Sequence, residues 1–261
     1  MRKKLTTSEK IRNAVACQEV ENLHARHCFT HCAGRNIEEI DNYWSHDPGV
    51  SWGHAFGKWT SWTGVKFGWG GSLERKGTLA FLQLTQVWPQ IAGLDPRPIQ
   101  ESAIHMLATD IIEVAADGKT ARAYFYTPGA ICSMLNTNRQ RKCFLMWERY
   151  GIEYVCEDGQ WKFFTIQVCP DIMAPMDTVN PAASSYQELV GKAEAGPGLV
   201  VGSGQLAGGG GPSDPILDET EPVHVKYSLI QPVQNPVPWP EPYDTFDQGT
   251  SYRLRVKDYK K

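Results

Sequence analysis

Two Asp-Gly pairs, Asp117-Gly118 and Asp158-Gly159, each separate runs rich in β-branched and aromatic residues, and they limit this chain more than any other feature. IHMLATDIIEV leads to the first pair and TARAYFYTP follows it, while CFLMWERYGIEYVCE and QWKFFTIQVC flank the second. Asp and Gly tolerate the positive φ of tight primed turns, so the pattern predicts two long antiparallel hairpins. The first part of the chain has a different period. Residues 8 to 33 read as one long helix with Ser8 as N-cap and Gly34 at the left-handed stop position. A short helix from Asn36 to Trp44 follows, and a third runs from near Ser72 toward Ile91, frayed at Pro89. Helices first and hairpins afterwards indicate an α+β fold whose helices cover one face of an antiparallel sheet.

A chain of 261 residues, 41% hydrophobic, is long enough for a full core. Its net charge of −3, with scattered lysines and arginines, does not suggest a nucleic-acid partner. The basic start MRKKLTTSEK lacks the apolar core of a secretory signal, and no apolar run approaches the roughly 20 residues that span a bilayer. A cytoplasmic protein without a membrane partner is expected. Seven cysteines leave one unpaired under any full pairing, so reduced thiols are expected, with Cys143, Cys156 and Cys169 serving as small apolar strand residues. There is no Gly-x-Gly-x-x-Gly after a strand, no phosphate loop and no Gly-x-Ser-x-Gly elbow, and no cofactor is expected.

Past Asp171 the composition changes. Residues 196 to 212 hold eight of the 24 glycines and cannot support a regular element, and QPVQNPVPWPEPYDTF reads as an extended, proline-rich arm. The expected division is a domain over 1–180 and a linker with arm over 181–261. The strands carry apolar residues on both alternating sets, for example Met146 and Ile152 against Leu145 and Trp147. Both sheet faces should therefore be buried. The arm is expected to strap across a subunit boundary of a homo-oligomer, a dimer or trimer, anchored by Trp239, Tyr243 and Phe246.

VENLHARHCFTHCAGRNIEEIDNYW, with Val20, Leu23, Arg26, Gly34 and Trp44 at matching places, resembles the opening helix pair of the nuclear transport factor 2-like (SnoaL-like) superfamily. His27 departs from the pattern by standing where the family often has tyrosine. IHMLATDIIEVAADGKTARAYFY and ERYGIEYVCEDGQWKF resemble the family's two hairpins. The resemblance covers about residues 8 to 171. It implies a cone, a curved antiparallel sheet wrapped around the long N-terminal helix, with a deep pocket. Members include dehydratases, isomerases, cyclases and non-catalytic binding subunits, so the fold by itself selects no function. The overall pattern is also reminiscent of bacterial diarylpropane lyases, which release formaldehyde from lignin-derived diols without a cofactor.

If that geometry holds, Val20, Leu23, His27 and His31 face the pocket, and His105 matches the place where dehydratase-like members carry a histidine. Imidazoles titrate near neutrality and can move protons to or from a substrate. Each histidine taken alone reads equally well as a hydrogen-bonded core residue. Tyr150 can either donate to a developing oxyanion or cap the sheet. Six tryptophans fall within residues 44 to 88, a dense set that reads as core in part and as a wall over an aromatic ligand in part. The expected catalytic residues are His27, His105 and Tyr150, with His31, Tyr43, Trp44, Trp59 and Trp147 binding substrate. His24, His27, Cys28 and His31 share one side of the helix, but a straight helix rarely wraps a tetrahedral ion, and no metal is assigned. The expected activity is a cofactor-independent lyase acting on a small aromatic, phenolic substrate; isomerisation or plain ligand binding are the alternatives.

Overall fold

The structure is a computed structural model, and it describes residues 4–54, 57–70, 102–132, 143–175 and 239–254. Helix α1 spans Thr7–Cys32. Its cap is Thr6, two residues before the expected Ser8: the Thr6 side chain accepts from the Glu9 amide while the Glu9 carboxylate reaches back to the Thr6 amide. Gly34 takes φ +67° after the last turn, as the left-handed stop requires. Helix α2 follows at Asn36–Tyr43. The helix expected from Ser72 to Ile91 and the Gly-rich 196–212 lie outside the described residues.

The tryptophan-rich stretch is not a loop throughout. It forms the hairpin β1 Ser51–His54 and β2 Gly57–Thr60, then a single turn α3 Ser61–Gly64 that widens into a π turn at Val65–Gly70. Strands β3 Ser102–His105, β4 Ala108–Val114, β5 Thr120–Cys132, β6 Cys143–Glu157 and β7 Gln160–Pro175 complete one sheet. The order is β2-β1-β7-β6-β5-β3, with β4 also pairing β5. Only the β1–β7 pairing among these is parallel. This arrangement is the curved, unclosed α+β sheet with an N-terminal helix that the pattern predicts.

Both Asp-Gly pairs turn the chain, by different geometries. Glu157 pairs with Gln160, so Asp158 and Gly159 are the whole loop, at φ +51° and +78°. This is the two-residue primed turn. Val114 pairs with Ala121, so the other loop is longer, and only Gly118 is left-handed there, at φ +72°.

The strand alternation sorts the residues into two faces. Ala123, Phe125, Tyr150, Ile152, Tyr154, Phe163 and Ile166 pack inward on Ala16, Val20 and Leu23 of α1 and on Ile40 and Trp44 at α2. Each such fully buried large side chain contributes about 1.5–3 kcal/mol over exposure, which outweighs the weak intrinsic preferences of these segments. The outer face carries buried charge. Arg149 Nε donates to Asp171 Oδ1 at 2.8 Å, and Arg122 Nε donates to Glu153 Oε1 at 3.1 Å. Residues 239–254 cover part of this face. Arg122 lies 4.7 Å from the Tyr243 ring and 5.6 Å from the Phe246 ring, and its amino groups donate to Thr250 Oγ1 and to the Asp247 carbonyl. Tyr252 sits on Gly151, where an added Cβ would meet its ring at 3.0–3.2 Å. The described part of the arm therefore closes on its own sheet. Of the three expected anchors, Tyr243 and Phe246 hold it there, while Trp239 is half exposed.

Candidate active site

Between the inner sheet face and α1 lies a group of polar side chains that hydrophobic packing alone does not explain. His24, His27 and His31 come from α1, Glu39 from the first turn of α2, His105 from the end of β3, and Glu148 and Tyr150 from β6. The three α1 histidines share a face because their spacing follows the helical period. Their rings continue to His105 in one row, with centroid separations of 5.4, 5.7 and 4.9 Å from His24 to His27 to His31 to His105.

His27 is anchored by a carboxylate. Its Nδ1 lies 3.0 Å from Glu39 Oε1, which also accepts from Trp44 Nε1 at 3.1 Å, while Glu39 Oε2 accepts from Thr30 Oγ1 at 3.0 Å. Glu39 and His27 are buried, at 0% and 1% exposure. A carboxylate facing Nδ1 keeps the proton on that nitrogen and leaves the basic lone pair on Nε2. Burial of a carboxylate is tolerable only when its oxygens are bonded, as here.

The second arm is built on β6. Tyr150 Oη donates to Glu148 Oε2 at 3.3 Å and lies 3.3 Å from His105 Nδ1, with His105 Nδ1 3.9 Å from Glu148 Oε2. Burial pushes Glu148 up to about 8, against a weaker opposing effect of the Tyr150 hydrogen bond, so it holds a proton at neutral pH. Burial also raises Tyr150 well above the usual phenol range. His31 stands between the two arms, its Nδ1 2.7 Å from Asn36 Oδ1, and burial lowers its pKa to about 4. His24 is held well below the ordinary histidine value, first by burial and then by the neighbouring His27. It is fully buried, and neither ring nitrogen has a hydrogen-bond partner among the described residues.

The expected residues thus divide. His27, His31, His105 and Tyr150 come together, and Trp44 joins them through its hydrogen bond to Glu39. Trp59 lies elsewhere: it is 2% exposed in the core, 5.4 Å from Trp52. Trp147 alternates with Glu148 on β6, so it faces outward with Arg149 and is 40% exposed. It does not line this site. Tyr43 is partly buried beside the core, with the Arg26 guanidinium 6.0 Å from its ring. Sequence reasoning missed Glu39 and Glu148, and did not foresee that His24 would be fully buried with unpartnered nitrogens. Glu39 sits in an acidic run that resembles a solvated helix face. Glu148 was legible as a charge on the alternation that otherwise carries Met146, Tyr150 and Ile152.

Among the described residues, no group of three or more His, Cys, Asp or Glu side chains is arranged to hold a metal ion. Nor is any described helix long and apolar enough to cross a membrane.

No curated protein matches the chain. Solved structures with a similar fold include a hexachlorocyclohexane dehydrochlorinase, LinA-type3, from Novosphingobium barchaimii LL02, at 14% identity and TM-score 0.44 over 67% of this chain and 97% of that one. A putative scytalone dehydratase from Novosphingobium aromaticivorans DSM 12444 aligns at 14% identity and TM-score 0.46, over 67% and 94%. A nuclear transport factor 2-like protein from Salmonella enterica serovar Typhimurium aligns at 13% identity and TM-score 0.44, over 60% and 92%. The model of the SnoaL-like domain matches residues 14–167, more than half of the sequence. The chain therefore belongs to the SnoaL-like domain family.

Proposed function

We propose that this protein is a cofactor-independent lyase that eliminates water from a small aromatic, hydroxylated substrate. The observation that carries the reading is the pairing of a carboxylate-anchored imidazole, His27 on Glu39, with a proton-bearing arm of Glu148, Tyr150 and His105 in one buried layer. Elimination needs both a base and an acid, and buried pairs with separated proton affinities supply them.

In this mechanism His27 Nε2 takes the proton from the carbon next to the carbinol. The freed electron pair forms the double bond as the C–O bond breaks with its pair on oxygen. Tyr150 gives its hydroxyl proton to that oxygen, and Glu148 passes its own proton to Tyr150 Oη, so water leaves and Glu148 is left ionised. The raised phenol pKa makes Tyr150 a relay rather than the proton source, a role that suits Glu148 better because its value of about 8 is close to neutral. The proton on His27 returns to Glu148 after product release. With a diol, the same base can instead take a hydroxyl proton. A C–C bond then breaks to release formaldehyde, and the acid arm expels the neighbouring hydroxyl as water.

Turnover of a panel of β-hydroxylated aryl compounds, followed by alkene absorbance and by formaldehyde release, tests the reading. His27→Ala and Glu39→Gln should each lower kcat/KM by about 100-fold or more. Full turnover in both His27→Ala and His105→Ala would sink it, and binding without turnover of any compound by the wild type would favour a ligand-binding module. The active form is proposed as a homo-oligomer, supported by the exposed Leu145 and Trp147 on the outer sheet face. Sedimentation of the full chain measures this, and a monomer at assay concentration would contradict it.

A further inference from the structure

The mechanism above gives a step neither to His31, which bonds Asn36, nor to His24, which has no hydrogen-bond partner among the described residues. The His24 ring stacks on Phe125 with centroids 4.2 Å apart and planes 5° apart, and it meets Tyr150 and Phe163 edge-on at 5.8 and 6.3 Å. A phenylalanine would satisfy every one of these contacts. The imidazole instead brings two polar nitrogens into a fully buried place where neither finds a partner among the described residues. Buried polar groups are normally bonded, and an orphan costs the fold free energy without structural return. Such a cost is characteristic of a group kept for something other than stability.

The surroundings say what the group can take. Burial and the adjacent His27 keep the ring uncharged, so it has one N–H donor and one lone pair. The complement of that set is a hydroxyl, which accepts from the N–H and donates to the lone pair. The aromatic rings around it favour a flat, apolar body attached to that hydroxyl.

We infer that His24 is a substrate-binding residue at the inner end of the histidine row, and that it holds a phenolic hydroxyl while the opposite end of the molecule lies between His27 and His105. This assignment rests on the reading of the row as an active site, and it names the residue that holds the phenolic hydroxyl expected of the substrate.

Phenol and toluene, nearly equal in shape, are the probes. The full chain, labelled at histidine with nitrogen-15, is titrated with each, and His24→Phe is measured alongside. Phenol should shift the His24 ring signals of the wild-type protein and bind it at least tenfold more tightly than it binds His24→Phe, while toluene binds both equally. His24→Phe should also melt roughly 3 °C or more above the wild type, because the orphan nitrogens are gone and the stack on Phe125 remains. Unmoved His24 signals on phenol addition, equal phenol affinity in the two proteins, or a lower melting temperature in His24→Phe would each overturn the assignment. None of these readouts depends on turnover. A failure of the lyase reading, seen as full activity in both His27→Ala and His105→Ala, is therefore distinguishable from a failure at His24.

Discussion

Replacing Glu148 with glutamine isolates the proton that the acid arm stores. In the folded protein burial raises this carboxyl from 4.5 to about 8, whereas in the unfolded chain it titrates as an ordinary glutamate. A group with a raised folded pKa contributes stability that is complete below its unfolded pKa and is lost as pH rises through the folded one. His24 and His31 have the opposite sign: their folded values are lowered, so they cost stability as pH falls below about 6.5. Between pH 6.5 and 8 the Glu148 effect therefore stands apart from both. One proton is released on unfolding there, and stability falls by about 1.4 kcal/mol per pH unit, or about 2 kcal/mol across the window. In a protein of this size that is a Tm decrease of roughly 4–8 °C. Asp171 and Glu153 are also raised by burial, but their contribution is common to both proteins and cancels in the comparison. Glutamine still offers Tyr150 an acceptor oxygen and has no proton to lose. Thermal unfolding of wild type and Glu148→Gln from pH 6.5 to 8.5 should give a Tm difference that grows with pH in favour of the variant. Parallel curves would refute the argument, because they would show Glu148 already ionised in the fold at neutral pH and unable to serve as the proton source.

Three other substitutions probe the fold around the site. Arg122→Ala should lower stability by about 3–5 kcal/mol in chemical denaturation, since it leaves Glu153 buried without its cation; a loss below 1 kcal/mol would show that the arm contributes little. Trp147→Ser should leave kcat/KM within about threefold, because the side chain faces away from the histidine row; a tenfold loss would place it against substrate after all. Gly159→Ala should cost roughly 1 kcal/mol of stability, measured by denaturant midpoint, through its φ of +78° alone, since a Cβ there meets nothing within 4 Å; an unchanged midpoint would show that the turn adjusts freely.

The sheet and the long helix were legible because they rest on local chemistry: the positive-φ turns, the helical spacing of Val20, Leu23 and His27, and the stop at Gly34. That His27, His31, His105 and Tyr150 come together in one cluster was legible once the family pattern aligned their elements. The rest depends on facts that sequence spacing does not carry. Glu39 becomes an anchor only because α2 folds back and places it against His27, 12 residues away. Trp59 and Trp147 share the residue type of a ligand wall, but their destinations were decided by the β1–β2 hairpin and by the parity of β6. The two strands of that hairpin are short and rich in tryptophan and glycine, so neither periodicity nor turn chemistry announced them. The arm is proline-rich and would read as extended in any setting, and its docking depends on Arg122 waiting beneath it.

Arg122 and the Asp247 carbonyl that it bonds are 125 residues apart. At a synthesis rate of roughly 5–20 residues per second, the second arrives about 6–25 s after the first, whereas hairpins close in microseconds. The sheet can thus be assembled long before its outer charges are covered. Once made, Glu153 has Arg122 for company but lacks, until the chain has grown by 98 more residues, the Ser251 hydroxyl that donates to it at 2.7 Å in the finished fold. Gly151 meanwhile presents a bare backbone strip where Tyr252 will lie. The vulnerable species on the way to this protein is a nearly complete sheet with one unfinished face, and the time it spends in that state is set by translation rather than by folding.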